Sequence, residues 1–498
     1  MSTSEVARGA WLAGLARTSV AIEAFAQPWY ILLFGLPTYG LYVVLWGCVN
    51  FLSNLFDLSL TSALQREVPR QDSELRAHAA VRFALLLSLG LTVLVALAIA
   101  LNADRLAALF SATPHDLQRL PKAIRIFAWA LPLWTFVEVA TSAARAKRAF
   151  GPEIRLRVFW EQVVRIVAAG LMFLIGKTTS GLLFAHLISL SLTAVLSLRL
   201  LGRYYDLRLL ASAPIDRRLA REVTLSGFSL LPSALASRAL IDLPPIALNW
   251  MIPGVSGATA AGLFEIGRKL STVPYIVRQA FQYVLAPLSS AQARVDRTQI
   301  VRLYRFASRI STALVVPLAG FLIFAAPDIL SVYRREALAA MPILALLASA
   351  RAAEAVVGPA SAIVEMIGHR LLPLLNSAIS VALLAGLAWW LVPLDGAWGM
   401  AIAAAAATVA PAYAATVELG ISDGVSPLDP RLLSGLALAL IGLAAMWGIA
   451  EVFHGPARFF SLLVLWALAS WLALRHGLSR EDREGLGGFG RTLRLVPR

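Results

Sequence analysis

Charged and amide side chains stand where the sequence is otherwise apolar. Residues 40–64 read GLYVVLWGCVNFLSNLFDLSLTSAL, with Asn50, Asn54 and Asp57 in the interior. A charge at the centre of a membrane helix costs about 3 kcal/mol even on the most lenient scale, so this helix should face other helices or a wet cavity. Arg17 and Glu23 interrupt an earlier apolar run. Arg238 and Asp242 are spaced i, i+4 in a later one, Glu265 and Lys269 are spaced likewise with Arg268 between them, and Arg278 follows. Two chemistries fit these groups. A guanidinium fork stays charged and binds phosphate bidentately. A desolvated carboxyl holds its proton toward neutral pH and could exchange it between two faces, which makes Glu23, Asp57, Asp242 and Glu265 candidates for ion coupling. A plainer role is open to the spaced pairs, which could neutralise each other on one helix face. Glu23 and Asp57 could equally be counter-ions for arginines. Arg17 and Arg278 have no carboxylate three or four residues away, which points them toward a cavity or an anionic ligand. Glu161/Arg165 and Arg351/Glu354 read as structural helix-face pairs, and Glu138 has no evident role.

Other chemistries find little support. Cys48 is the only cysteine, and the six histidines include no His-x-x-x-His pair, so no disulfide framework and no metal site is expected. Residues 170–178, GLMFLIGKT, place five residues between the glycines where a P-loop has four, so neither a nucleotide site nor any other cofactor is expected. The net charge is +15, and 40 of the 44 basic residues are arginine. On a soluble chain that would suggest nucleic acid. Here retention of loops on the cytoplasmic side explains it, and no nucleic-acid partner is expected. The basic loops would meet membrane lipids.

The elements that hold these groups follow from hydropathy. Of 498 residues, 59% are hydrophobic, and the mean hydropathy is +0.73. Apolar runs of about 20 residues recur along the chain without the two-residue alternation of a barrel strand, so the fold class is all-α and polytopic. Fourteen spans are expected, near 10–33, 40–64, 81–101, 123–144, 154–176, 180–202, 223–250, 257–288, 304–325, 338–365, 371–392, 397–420, 432–450 and 459–475. With the N-terminus inside, cytoplasmic segments hold 28 Arg and Lys against 8 outside, which places both termini in the cytoplasm. No cleavable signal peptide is apparent. A weak repeat aligns Gly40-Leu41-Tyr42 with Gly262-Leu263-Phe264, Arg17 with Arg238 within one residue, and Gly151 with Gly368. Six spans separate the equivalents, so the halves are parallel repeats. The expected division is a bundle over 1–203, a linker over 204–222, a second bundle over 223–422, two further helices over 423–476 and a basic tail over 477–498. Pro232 and Pro274 could bend their helices during a conformational switch or simply kink them. Tryptophans near span ends, such as Trp29 and Trp250, fit an interfacial belt.

The stretch LFGLPTYGLYVVLWGCVNFLSNLFDLSLTSALQRE, residues 33–67, resembles the first-loop pattern of the Wzx-type polysaccharide and O-antigen flippases, a family of the multidrug/oligosaccharidyl-lipid/polysaccharide (MOP) exporter superfamily. SGATAAGLFEIGRKL, residues 256–270, is similar to the equivalent turn and helix of the second half. Leu36 departs from the usual Gly-Pro order, and Ser59 stands where a glycine is common. The resemblance implies a V-shaped pair of six-helix bundles around a cavity lined by spans 1, 2, 7 and 8. It implies transfer of undecaprenyl-pyrophosphate-linked oligosaccharide across the bacterial inner membrane, with polysaccharide polymerase and export machinery as further partners. On that reading Arg17, Arg238, Arg268, Lys269 and Arg278 form a cationic path for the diphosphate, five cations against four carboxylates. The protein would not be an enzyme. A drug or metabolite antiporter of the same superfamily is the alternative, and organic-cation exporters want acidic cavities. A membrane polymerase or ligase would typically show a large outer loop, and the longest expected outer segment, 102–122, has about 20 residues.

Overall fold

The computed structural model describes residues 19–147, 149, 154–176, 180–292, 297–367 and 371–495. Among them there is no strand, and the helices follow one another in chain order. Helix α1 is Ser19–Phe34, α2 Leu36–Phe56, α3 Leu60–Glu67, α4 Glu74–Leu101, α5 Pro114–Phe127, α6 Ala130–Ala146, α7 Glu161–Leu174 and α8 Gly181–Tyr204. Then come α9 Arg217–Met251, α10 Val255–Gln292, α11 Arg297–Phe324, α12 Met341–Val357, α13 Ala360–Ile367, α14 Leu371–Asp423, α15 Pro430–Val452, α16 Gly455–Gly477 and α17 Arg480–Gly485. The described parts of the expected spans are largely helical, with breaks that include 57–59 inside the second and 358–359 inside the tenth. Nine segments among the described residues are long and apolar enough to cross a membrane, which makes this a multi-pass membrane protein. Helix α14 runs for 53 residues through a kink at Gly396, and so joins two of the expected spans.

Polar side chains start several helices. Ser73, Thr113, Asp216 and Asp429 each accept a backbone N–H of the first turn, while Pro114 and Pro430 occupy first-turn positions whose N–H would have no partner anyway. Asp216 lies outside the spans. The Leu219 N–H first, and then Arg76, hold its carboxyl below the usual carboxylate range.

The chain divides into two compact units, one of Phe25–Gly262 and one holding Leu263 onward. In the first, Leu60, Leu64, Ala80, Val139, Ala143, Leu201 and Val223 are among the residues of a core shared by α3, α4, α6, α8 and α9. Small residues set how closely its helices approach. A Cβ built on Gly40 of α2 would lie 1.8 Å from the carbonyl oxygen of Ala258 and 3.0 Å from the nitrogen of Gly262, both on α10. Gly262 in turn approaches the Cα of Gly40. The two glycines that mark the internal repeat are therefore packed against each other.

In the second unit, Ile300, Tyr304, Phe306 and Ile310 of α11 pack with Ile363, Leu419, Leu474, Leu478 and Leu495. The basic tail is thus folded onto the bundle for most of its length. Trp471 donates its indole N–H to the Leu493 carbonyl at 2.9 Å, and Ser479 and Asp482 form a reciprocal capping box at the start of α17. Arg309, buried on α11, joins both Asp429 and Asp482.

Candidate functional site

A polar stripe runs down one side of α2 in the first unit. Tyr42, Trp46, Asn50, Ser53 and Asp57 follow each other at intervals of four, four, three and four residues, which keeps them on one helix face. Each has a partner on another helix. At the Tyr42 end, the phenol oxygen lies 2.9 Å from His186 Nδ1 on α8, and Arg165 of α7 donates to it at 3.4 Å. Arg165 is also paired with Glu161 one turn earlier. The Trp46 ring lies tilted against the His186 ring, with centroids 4.1 Å apart, and meets Trp134 of α6 edge-on at 5.2 Å.

Farther along, Asn50 accepts the Trp134 indole N–H at 3.0 Å and donates to both carboxylate oxygens of Asp242 at 3.0 and 3.1 Å. Its neighbour Asn54 donates to the Asn50 carbonyl, and Ser53 meets Thr135 at 2.8 Å. Asp57 closes the stripe. One oxygen accepts from Ser88 at 3.0 Å, and the other accepts the Thr61 N–H and hydroxyl at 3.2 and 2.9 Å. Every charged or amide group on this face is thereby hydrogen-bonded, as burial among apolar helices requires.

Asp57 has a clear structural task. The chain leaves α2 through Leu58 and Ser59, both left-handed with φ of 52° and 57°, before α3 begins. Such a conformation costs an L-residue roughly 1–2 kcal/mol. The Asp57 carboxylate holds the first turn of α3 in place beyond that break. Ser59 now explains the position where the resembled pattern favours glycine. Ser59→Gly should raise thermal stability by about 1 kcal/mol, because glycine takes a left-handed φ without the Cβ clash. A thermal melt of the purified variant checks it.

One turn beyond Trp134, α6 carries Glu138. Arg157 donates to its carboxylate at 2.6 Å and lies over the Trp134 ring at 4.5 Å. The charges of Arg238 and Arg145 act on the same carboxylate. The charges of three guanidinium groups therefore act on one buried carboxylate. Arg157 stands in a π-helical turn, Ile154–Trp160, that leads into α7, and π-turns are frequent at functional sites.

The structure thus places the expected residues in separate groups. Asp57, Asp242 and Arg238 belong to the first unit, with Asp57 on the stripe, Asp242 of α9 hydrogen-bonded to it through Asn50, and Arg238 placed where its charge acts on Glu138. Asp242 pairs across helices with Asn50, so the i, i+4 spacing to Arg238 was not the whole of its environment. Glu265, Arg268 and Lys269 form one cluster on α10 of the second unit. Arg268 binds Glu265 through two hydrogen bonds of 2.7 Å, and Lys269 lies 3.6 Å from the same carboxylate. Arg351 and Glu354 pair at 2.9 Å, as the spacing suggested. Arg17 lies outside the described residues, as do the side chains of Glu23 and Arg278 on α1 and α10. Sequence reasoning missed Arg145 and Arg157, which pass for retention charges near span ends, and His186 and Trp134, whose partners are 144 and 84 residues away. The four-residue spacing from Tyr42 through Trp46 to Asn50 was the available signal. No group of three metal-ligating side chains occurs among the described residues.

The helical layout is that of MOP-superfamily transporters. A lipid II flippase, MurJ, in an inward closed conformation superposes with a TM-score of 0.74 at 12% identity, over 93% of this chain and 97% of that one. An inward-facing multidrug resistance transporter of the MATE family gives 0.58 at 14% identity, over 89% and 96%. A MOP-superfamily transporter from Pyrococcus furiosus, whose binding pocket is described as reversed in polarity, gives 0.60 at 15%, over 89% and 97%. No curated protein sequence matches the chain. A family model for polysaccharide biosynthesis proteins matches residues 33–336, more than half of the chain, and the protein belongs to that family.

Proposed function

We propose that the protein carries undecaprenyl-pyrophosphate-linked oligosaccharide repeat units from the inner to the outer leaflet of the bacterial inner membrane, for exopolysaccharide, capsule or O-antigen. It works by alternating access driven by an ion gradient, with both termini in the cytoplasm. The two six-span repeats over 1–203 and 223–422 form the moving halves, with two accessory helices following. The observation that carries this reading is that the charges of three arginines, Arg157, Arg238 and Arg145, act on one buried carboxylate, Glu138, in a polysaccharide biosynthesis protein. A diphosphate carries two or more negative charges, and arginine forks suit its oxygens. The shared fold with a lipid II flippase fits a lipid-linked cargo. Arg17, Arg268, Lys269 and Arg278 extend the cationic path, and Glu23, Asp57, Asp242 and Glu265 remain the carboxylates available for coupling. Polysaccharide polymerase and export machinery would receive the product.

Deletion of the gene should leave completed lipid-linked repeat units facing the cytoplasm, scored by their inaccessibility to an external probe. Single units reaching the outer face would end the flippase reading. Within the site, Arg157→Ala should cut glycan export roughly 10- to 100-fold, the equivalent of one charged hydrogen bond of about 1.5–3 kcal/mol. Arg157→Lys should fall between that and the wild type, because a point charge remains while the fork is lost. Surface glycan on a gradient gel, normalised to membrane-inserted protein, measures both. A second reading, a drug antiporter, draws on the likeness to multidrug transporters. It requires the same variants to change drug tolerance and leave the glycan untouched.

A further inference from the structure

The segment that joins α8 to α9 lies along the start of α4, where three side chains fasten it. His78 Nε2 accepts the Asp206 N–H at 3.1 Å, Arg82 donates to the Ala213 carbonyl at 2.6 Å, and Arg76 pairs with Asp216 at 3.2 Å. Along it, Tyr205, Leu210 and Ala213 are buried in the same core as Ala77, Ala80 and Val81 of α4. Asp216 caps α9, the helix that carries Arg238 and Asp242, so these fastenings hold the start of that helix.

Of the three, the His78 contact requires a neutral side chain. A backbone N–H can only donate and a backbone carbonyl can only accept. Nε2 therefore turns a lone pair toward Asp206, and Nδ1 carries the hydrogen that meets the Glu74 carbonyl at 2.6 Å. A proton added at Nε2 would set two N–H groups head to head. The imidazole is buried, with its ring 5.1 Å from the Tyr205 ring, where an unpaired charge is costly. The Glu74 carboxylate lies 3.8 Å from Nδ1 and is 69% exposed, so an imidazolium is drawn outward, away from Asp206 and Tyr205. The other charged groups around His78 are the Asp206 carboxylate and Lys147 at the end of α6, which binds Glu74 at 2.5 Å and lies over the Tyr205 ring. In the turn after α3, Glu67 and Arg70 pair with each other. The Arg208 N–H holds the Asp206 carboxyl below the usual range, as the Leu219 N–H does for Asp216, so both stay ionised in mild acid. Histidine is the side chain whose ordinary titration falls between about pH 5 and 8.

We propose that the segment over 204–216 is a pH-sensitive strap, which neutral His78 fastens to α4 and protonated His78 releases. Proton entry breaks the Asp206 bond, swings the imidazole toward Glu74 and uncovers the face of Tyr205 beneath it. The start of α9 is then held by Arg76 and Arg82 and by apolar contact alone. Proton loss restores the bond. The strap lies apart from the carboxylates and the Glu138 site considered above, and it does not depend on what the protein carries.

The test is electron paramagnetic resonance on the full-length protein in lipid nanodiscs, with a nitroxide on Ala211→Cys in a Cys48→Ala background. Ala211 is exposed on the strap, and Cys48 is the only native thiol. With His78 in place, the label should be restricted at about pH 8. Its mobile fraction should rise at least about threefold at about pH 5 and fall again on return, since an ordinary imidazole passes from mostly neutral to mostly charged over that interval. His78→Gln offers an acceptor to the Asp206 N–H and a donor to the Glu74 carbonyl without a titrating group. In that variant the label should stay restricted at both values. A label on the protein with His78 that moves equally at both values would overturn the proposal, whether or not the variant folds. A His78→Gln protein that loosens in acid as much as its parent would overturn it too.

Discussion

Arg309→Ala should destabilise the second unit by about 3–5 kcal/mol, the penalty for removing one member of a buried charge group. The side chains of Arg309, Asp429 and Asp482 retain only 11%, 11% and 5% of their exposure, so water cannot replace the lost guanidinium. Two aspartates would be left facing each other in a dry pocket. Both also start helices, since Asp429 accepts the Leu432 N–H and Asp482 the Ser479 N–H, so they cannot simply turn away. Burial alone would raise the Asp429 carboxyl. The Arg309 hydrogen bond, the Leu432 N–H and the charges of Arg309 and Arg305 outweigh it and hold the group below the ordinary range. A carboxyl held low contributes stability above its unfolded value of about 4 and loses it as the pH falls through the folded value. The wild-type clasp should therefore loosen only in acid. Arg309→Ala should show its loss at neutral pH, as a lower melting temperature and as rapid proteolysis after residue 478. Arg309→Leu combined with Asp429→Asn and Asp482→Asn should recover much of the loss, because asparagine still caps a helix and no charge stays buried. A single variant that melts with the wild type would remove the clasp from the folding account.

Gly40→Ala should be nearly as damaging for a different reason. A helical glycine replaced by alanine normally gains about 0.5–1 kcal/mol in backbone entropy. Overpacking a close contact costs about 1–3 kcal/mol and sometimes more. The added methyl would stand 1.8 Å from the Ala258 carbonyl oxygen, a backbone atom that no rotamer change can move. Steric cost therefore wins, and the variant should lose both folded yield and thermal stability. Gly386→Ala, on α14 with open space around it, tests the sign. It should be neutral or slightly stabilising in the same melt. Equal behaviour of the two would mean that α2 and α10 can separate freely at Gly40.

The helices were legible because apolar runs of about 20 residues admit few other structures. The cationic chemistry was legible in type but not in place. Arg238 announced itself by standing inside an apolar run. Arg157 did not, because any arginine at a span end also satisfies the positive-inside rule, and only the fold brings it beside Glu138. Asp57 was conspicuous as the charge in α2, yet nothing in its neighbours signalled the left-handed Leu58–Ser59 break that it supports. Asp242 looked like half of an i, i+4 pair, because periodicity reports one helix and is blind to Asn50 on another. His186 lacked a local signal altogether. Its partner Tyr42 lies 144 residues earlier, and one histidine in a leucine-rich run has no spacing to read.

The Arg309 clasp also has a bearing on biosynthesis. A ribosome delivers α11 to the membrane before the two carboxylates that neutralise its guanidinium, which lie 120 and 173 residues downstream. Until Asp429 and then Asp482 emerge, that helix is an incomplete electrostatic unit, held at the interface or sheltered by an insertion factor. Reporter fusions cut between residues 310 and 480 would therefore sample an orphaned intermediate. Their topology readings should scatter until the last short helix is in place.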